Sequence, residues 1–288
     1  MKATALEILS EPLSLLVLLT ALTIAVMAPY LHFHQFGEAT RMARDAGFSA
    51  LFTCGGILAV FGTIRTFRRE IESGTLAMAL VHPITRTEFF LAKTLGALAA
   101  YLVFAAIVFQ TAAVVVCGAA VGGEIAQRMG GIPRLWGPCF AAGVGVIVLP
   151  LAGGAAFNRF GRCRFTLTAF VLALALSALA VVFVLFRQPS LVWRMLPVGL
   201  LICIETSVLL GASAAFAVRL KASLAASAAG LVFAALLPVA GNYYLADALT
   251  KGGSVSWGYV ALAVVALLPA ALLFLLWGIH FINGRDVV

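Results

Sequence analysis

The sequence predicts an all-α membrane protein, a polytopic helical bundle of about six to eight transmembrane helices, and three observations carry that prediction. Hydrophobic residues make up 63% of the 288 residues and charged residues only 10%. A soluble domain carries about 25% charged residues, so water could not solvate a surface this poor in charge and lipid must cover much of it. Mean hydropathy is +1.11, and the apolar residues gather into runs near the roughly 20 residues that a helix needs to cross a bilayer. Those runs are continuous, which argues against a β-barrel, whose strands alternate every second residue. The formal charge of +8 would point to nucleic acid in a soluble protein. Here the Lys and Arg residues flank the apolar runs and anchor them at the membrane face, so no nucleic acid is expected and membrane lipid is.

Eight runs read as spans, at about 13–31, 48–64, 94–121, 138–157, 165–186, 197–218, 224–241 and 257–282. Residues 187–241 are the part where the count falls to six or seven if one segment is re-entrant. Arg187, Pro189 and Arg194 break the first gap there, and Arg219 and Lys221 the second. Pro197 and Pro238 are placed near span ends, where a missing backbone donor does least harm. The N-terminal segment carries Glu7 and Glu11 beside Lys2 and leads into a run long enough to span, so it does not read as a cleavable signal. The spans, with short loops, form a single transmembrane domain over 1–288. Small residues are dense in them, as in Gly153-Gly154-Ala155-Ala156 and Gly211-Ala212-Ser213-Ala214-Ala215, which lets helix backbones approach closely in lipid.

Charge bias gives the orientation. With the N-terminus inside, the cytoplasmic face collects Lys2, the basic residues of 65–93, Arg159, Arg162, Arg164, Arg219, Lys221 and Arg285, which is twelve of the 19 Lys and Arg residues. Arg41, Arg44, Arg128, Arg134, Arg187, Arg194 and Lys251 fall outside. Both termini and the 65–93 loop are therefore expected in the cytoplasm.

Few residues carry chemistry. Cys54, Cys117, Cys139, Cys163 and Cys203 are scattered singly in or beside apolar runs and read as packing thiols. His32 and His34 straddle Phe33 without further ligands, and no metal is expected. There is no G-x-x-x-x-G-K-[ST] phosphate cradle, no H-E-x-x-H pair and no G-x-S-x-G elbow, so no catalytic residue is expected. Glu205 lies within the sixth span. A carboxyl there costs about 2.5–3.5 kcal/mol on insertion scales, and a place in a transport path and a structural role are both open readings of it.

The informative segment is the 65–93 loop, too long for a hairpin and too polar for lipid. Ser73 or Thr75 is placed to cap a short helix running to about Val81, which Pro83 stops. Thr85-Arg86-Thr87-Glu88 fits a capping box opening a helix that runs through Phe89, Phe90 and Lys93 into span three.

The residues of this loop resemble the membrane subunits of ABC-2 type ATP-binding-cassette transporters. That family shows E-x-E-x-G-T-L, then P-I-[ST]-R, then an apolar stretch ending in G/A-K. This chain has Glu70, Glu72, Gly74, Thr75 and Leu76, then Pro83, Ile84, Thr85 and Arg86, then Ala92-Lys93. The ending Phe281-Ile282-Asn283-Gly284-Arg285-Asp286-Val287 is similar to the family's R-D-[VIL] tail, and His82 departs from the small polar or charged residue usual there. The resemblance implies a permease subunit of an exporter in a bacterial inner membrane, paired with a second identical or paralogous permease. Its Glu70, Glu72, Gly74, Thr75, Leu76, Pro83, Thr85 and Arg86 would form a coupling helix docked on a separate cytoplasmic ATPase. That partner, and not this chain, would hold ATP and Mg. An ion- or proton-coupled secondary carrier and a non-transporting scaffold are the alternatives. The first would need several ionisable groups in the spans, where Glu205 stands out.

Overall fold

The computed structural model describes residues 2–31, 39–72, 85–129, 137–161, 164–244 and 255–284. They form nine helices and no strand: α1 (Lys2–Ser10), α2 (Pro12–Leu31), α3 (Ala39–Glu72), α4 (Arg86–Met129), α5 (Gly137–Gly161), α6 (Phe165–Arg187), α7 (Pro189–Arg219), α8 (Ala222–Tyr244) and α9 (Trp257–Asn283). Each predicted span lies within or nearly within one of the helices from α2 to α9. Six helices are long and apolar enough to cross a membrane on their own, and α1 with α2, bent by 67° at Glu11, adds a seventh candidate. The fold is thus the expected all-α polytopic bundle.

Two helices run well past the predicted spans. The second predicted span, 48–64, sits inside the 34 residues of α3, and the third, 94–121, inside the 44 residues of α4. Polar extensions continue the helix beyond what lipid requires: 86–93 find partners on α1, α3 and α9, and the charges of 39–47 pair along α3 itself. Pro197 is a correction: it lies inside α7 rather than near its end. A missing backbone donor is tolerated in membrane helices when neighbours and local adjustment satisfy the freed carbonyl.

From α2 to α9 successive helices alternate in direction, and α1 leads into α2 through the bend. The end where α3 finishes and α4 starts is called the lower end here, and the opposite one the upper end. Lys2 and Asn283 both lie at the lower end. The core is built on α3, α4 and α7, whose most apolar windows are 78%, 72% and 72% buried, whereas those of α5, α6 and α9 are 22%, 28% and 11% buried. Large side chains such as Leu149, Phe186, Leu231, Val265 and Leu276 face outward, as lipid-facing residues do. The two small-residue clusters divide accordingly. Residues 211–215 are buried at the centre of α7, while Ala155 and Ala156 of α5 are exposed.

Close backbone approach sets the α3–α4 contact, since a Cβ added at Gly47 would stand 2.5 Å from that of Ala112. Buried hydroxyls are satisfied mostly within their own helices. Thr66, Thr94, Thr111, Thr206 and Ser213 donate to the carbonyl four residues back. Ser177 of α6 also donates to Gln110 Oε1 of α4 at 2.7 Å, a polar bond between helices of the kind that holds bundles in lipid. Cys54, Cys117 and Cys139 are buried free thiols. Cys117 and Cys139, read from the sequence as single, meet in a thiol hydrogen bond between α4 and α5.

Candidate functional site

The lower end joins α1, α3, α4, α6, the end of α9 and Leu220 after α7 through polar contacts, and α1 is its starting point. Glu7 lies in this short helix and Glu11 four residues on, at the bend that follows it, and α3 places Arg65 and Arg69 one turn apart. Residues four apart share a helix face, so the two pairs meet as an antiparallel ladder. Glu7 Oε1 is 3.5 Å from Arg69 Nη1, and Glu11 Oε1 is 3.1 Å from Arg65 Nε. The bend between α1 and α2 is itself fastened. Ser14 Oγ donates to the Ile8 carbonyl at 2.6 Å, and Thr166 Oγ1 of α6 donates to the Ser10 carbonyl at 2.7 Å.

Lys93 of α4 is the centre of the arrangement. Its ammonium group pairs with Glu70 of α3 and lies 3.5 Å from Glu7 Oε2 of α1, and only 10% of its side chain is exposed. Glu70 lies in the last turn of α3 before residues 73–84, and Lys93 lies two turns into α4 after them. One cation therefore ties together the two ends of the connecting loop and adds the N-terminal helix. Removing one partner of a buried pair leaves an uncompensated charge and costs about 3–5 kcal/mol; with Glu70 and Glu7 about a quarter exposed, solvent screening lowers that figure.

The remaining contacts radiate from the same point. Arg68 Nη2 binds Glu72 Oε1 at 2.8 Å and its Nη1 reaches the Leu220 carbonyl past the end of α7 at 3.5 Å. Arg86 donates from Nη1 to the Ile282 and Asn283 carbonyls, each at 3.3 Å. A cation there complements the negative end of the α9 dipole. Phe90, fully buried, packs on Phe67 with ring centroids 5.5 Å apart. It also fills the space over Gly278 of α9, where an added Cβ would come within 2.1 Å of its Cζ.

The capping box predicted at Thr85 is present in both directions. The Thr85 N–H donates to Glu88 Oε2 at 2.9 Å, and the Glu88 N–H donates to Thr85 Oγ1 at 3.2 Å. The Thr85 backbone N–H first, and the Thr85 hydroxyl second, hold the Glu88 carboxyl below the ordinary range. Glu11 moves the other way. Burial raises it more than Arg65 lowers it, although the two are paired. The Arg65 side chain is 57% exposed, and water screens its attraction.

Of the residues singled out in the sequence, Glu70, Glu72, Thr85 and Arg86 come together here. Gly74, Thr75, Leu76 and Pro83 lie outside the described residues, as do the short helix expected between them and His32, His34 and Cys163. Glu205 is elsewhere, buried in α7 with 1% exposure, and neither carboxylate oxygen has a hydrogen-bond partner. Sequence reasoning passed over Glu7, Glu11 and the role of Lys93. The matched four-residue spacing of Glu7/Glu11 and Arg65/Arg69 was the available signal. Among the described residues no group of three or more His, Cys, Asp or Glu side chains could hold a metal ion.

A family model described as "ABC-2 family transporter protein" matches residues 6–159. No curated protein and no solved structure matches the chain. The match covers α1 to α4 and nearly all of α5, and so includes the ladder, Lys93 and the capping box. It spans more than half of a chain whose helices form a multi-pass membrane bundle, and this chain therefore belongs to the ABC-2 family of transporter proteins, as a membrane permease.

Proposed function

We propose that this permease is the transmembrane half of an exporter in a bacterial cytoplasmic membrane. A second permease subunit, identical or paralogous, pairs with it, and a separate cytoplasmic ATPase supplies the energy by hydrolysing ATP with Mg. In this reading the lower end faces the cytoplasm, in keeping with the excess of Lys and Arg in the segments gathered there. The 70–88 segment is the part on which the ATPase acts.

The observation that carries the proposal is the position of Lys93. A force applied to the 73–84 connection reaches α3 and α4 together, because Glu70 in the last turn of α3 and Lys93 two turns into α4 join the two helices. Glu7 passes the displacement to α1, and Arg86 passes it to the end of α9. A rigid node of this kind turns a push at one loop into a joint movement of several helices, which is what switching between inward and outward access requires. In the same reading Glu205, half-way along an inner helix, belongs to the path that opens as the bundle switches. Charged groups inside spans usually face protein or water on such a path.

The test is co-purification of the tagged permease with the ATPase subunit encoded beside it. Wild type is expected to retain the ATPase, and reversal of both Glu70 and Glu72 to Lys is expected to lower recovery in a salt-dependent way. If no ATPase is retained by wild type, the coupling reading fails and an ion-coupled carrier replaces it.

A further inference from the structure

At the upper end, α3, α4, α6 and α7 enclose a cavity of about 440 Å³, within the range of small-molecule sites. Its polar lining comes from Thr40 and Arg44 of α3, Glu124 of α4, Arg187 at the end of α6, and Ser190 and Arg194 of α7. Val116 and Met195, both buried, add apolar wall. Three of the charged lining residues are cationic and one is anionic, and the cations arrive from three different helices. The Arg44 side chain is only 13% exposed, and Asp45 engages its Nε at 3.3 Å. Arg187 is set over the Phe183 ring, 5.7 Å from the centroid, a contact that orients the guanidinium. The 31-residue helix α7 starts against this space with Pro189 at its first position and no side-chain cap from Gln188, so its positive dipole end adds to the same field.

The geometry points to a binding site for a phosphate-bearing molecule, either a phospholipid headgroup or a soluble phosphate ester, held by Arg44, Arg187 and Arg194 at the upper end of the bundle. Planar guanidinium forks match phosphate oxygens two at a time. Three guanidinium groups stand against one carboxylate in the lining, and a phosphate group, which carries about −1.5 to −2 as a monoester at neutral pH, suits that balance. Ser190 and Thr40 supply hydroxyls that complete such a shell. This site lies at the far end from Lys93 and is independent of the coupling proposal, so its test uses no ATPase.

The experiment places the full-length permease in two kinds of nanodisc. In phosphatidylcholine alone, inorganic phosphate is titrated and binding read by calorimetry. In discs containing phosphatidylglycerol, bound lipid is counted by native mass spectrometry. Saturable binding in the first arm identifies a soluble ligand, and retained phosphatidylglycerol in the second identifies a headgroup. Both support the site. Arg187→Gln and Arg194→Gln are each expected to weaken binding about tenfold, while Arg159→Gln at the lower end leaves it unchanged. Arg194→Lys keeps the charge without the fork and is expected to fall between, which guards against a glutamine variant that does not fold. No saturable binding in either arm, or equal weakening by Arg159→Gln, overturns the proposal.

Discussion

The two ends of the bundle handle charge in opposite ways. At the lower end, Glu7, Glu11 and Glu70 pair with Arg65, Arg69 and Lys93, mostly across helices, and the joints involve α1, α3 and α4. At the upper end, Arg41 and Arg44 pair with Asp45 on their own helix, and three arginines line a cavity. A pair within one helix steadies that helix. A pair across helices makes them move together. The lower end is thus built as a joint between helices, and the upper end holds a basic recess.

The comparison breaks most severely at the packing that backs the joint. Gly278→Val forces a side chain into the fully buried Phe90 ring, and overpacking of this sort costs about 3 kcal/mol. The thermal midpoint of the purified permease in detergent should drop clearly. A midpoint equal to that of wild type would mean that α9 is not seated on Phe90. The next effect is at the node. Lys93→Gln leaves two partly buried carboxylates without their cation and should cost about 2 kcal/mol. Adding Glu70→Gln should recover part of that loss, and the double-mutant cycle measures how much of the joint is the pair itself. Additive losses would show that the two side chains do not cooperate.

Between the ends, Glu205 sets a third comparison. Its carboxyl lacks a hydrogen-bond partner in the core, so Glu205→Leu should raise stability by about 1–2 kcal/mol while lowering coupled ATP hydrolysis. A stabilised variant with unchanged hydrolysis would make Glu205 a structural residue only. The smallest effect is at the capping box. Thr85→Ala should cost about 1 kcal/mol at neutral pH. Because the Glu88 carboxyl sits below its ordinary value of 4.5, the charged form is favoured in the folded state. Its contribution is present above that value and is lost as pH falls below it through the lowered folded-state value. The stability gap between wild type and Thr85→Ala should therefore narrow as pH is lowered from neutral through 4.5. A gap that widens on acidification would contradict the box.

How much could be read in advance depended on the range of the interaction. Apolar length revealed the spans, because the bilayer imposes it locally. Thr85 and Glu88 could be paired from three residues' separation, and the reciprocal bonds are there. Helix extent beyond the lipid could not be read, since residues 39–47 and 86–93 are too polar to look like spans, and Arg86 and Lys93 are held by partners distant in sequence. The Glu7–Arg69 and Glu7–Lys93 contacts cross some sixty and eighty positions, and nothing in hydropathy fixes such pairings. Pro197 was misplaced for a related reason: the polar start of α7 hid the first turns of a helix that continues through it. The thiol contact of Cys117 with Cys139 likewise depends on how α4 and α5 cross.

The claim that the lower end transmits force rests on Lys93, and ATP hydrolysis tests it most directly. The permease and its ATPase are reconstituted in nanodiscs, and hydrolysis is compared for wild type, Lys93→Gln and Lys93→Arg. The account predicts that wild type stimulates the ATPase, that Lys93→Gln still binds it but stimulates several-fold less, and that Lys93→Arg recovers most of the stimulation because it keeps the cation between Glu7 and Glu70. Full stimulation by Lys93→Gln, with the ATPase bound as in wild type, would contradict it.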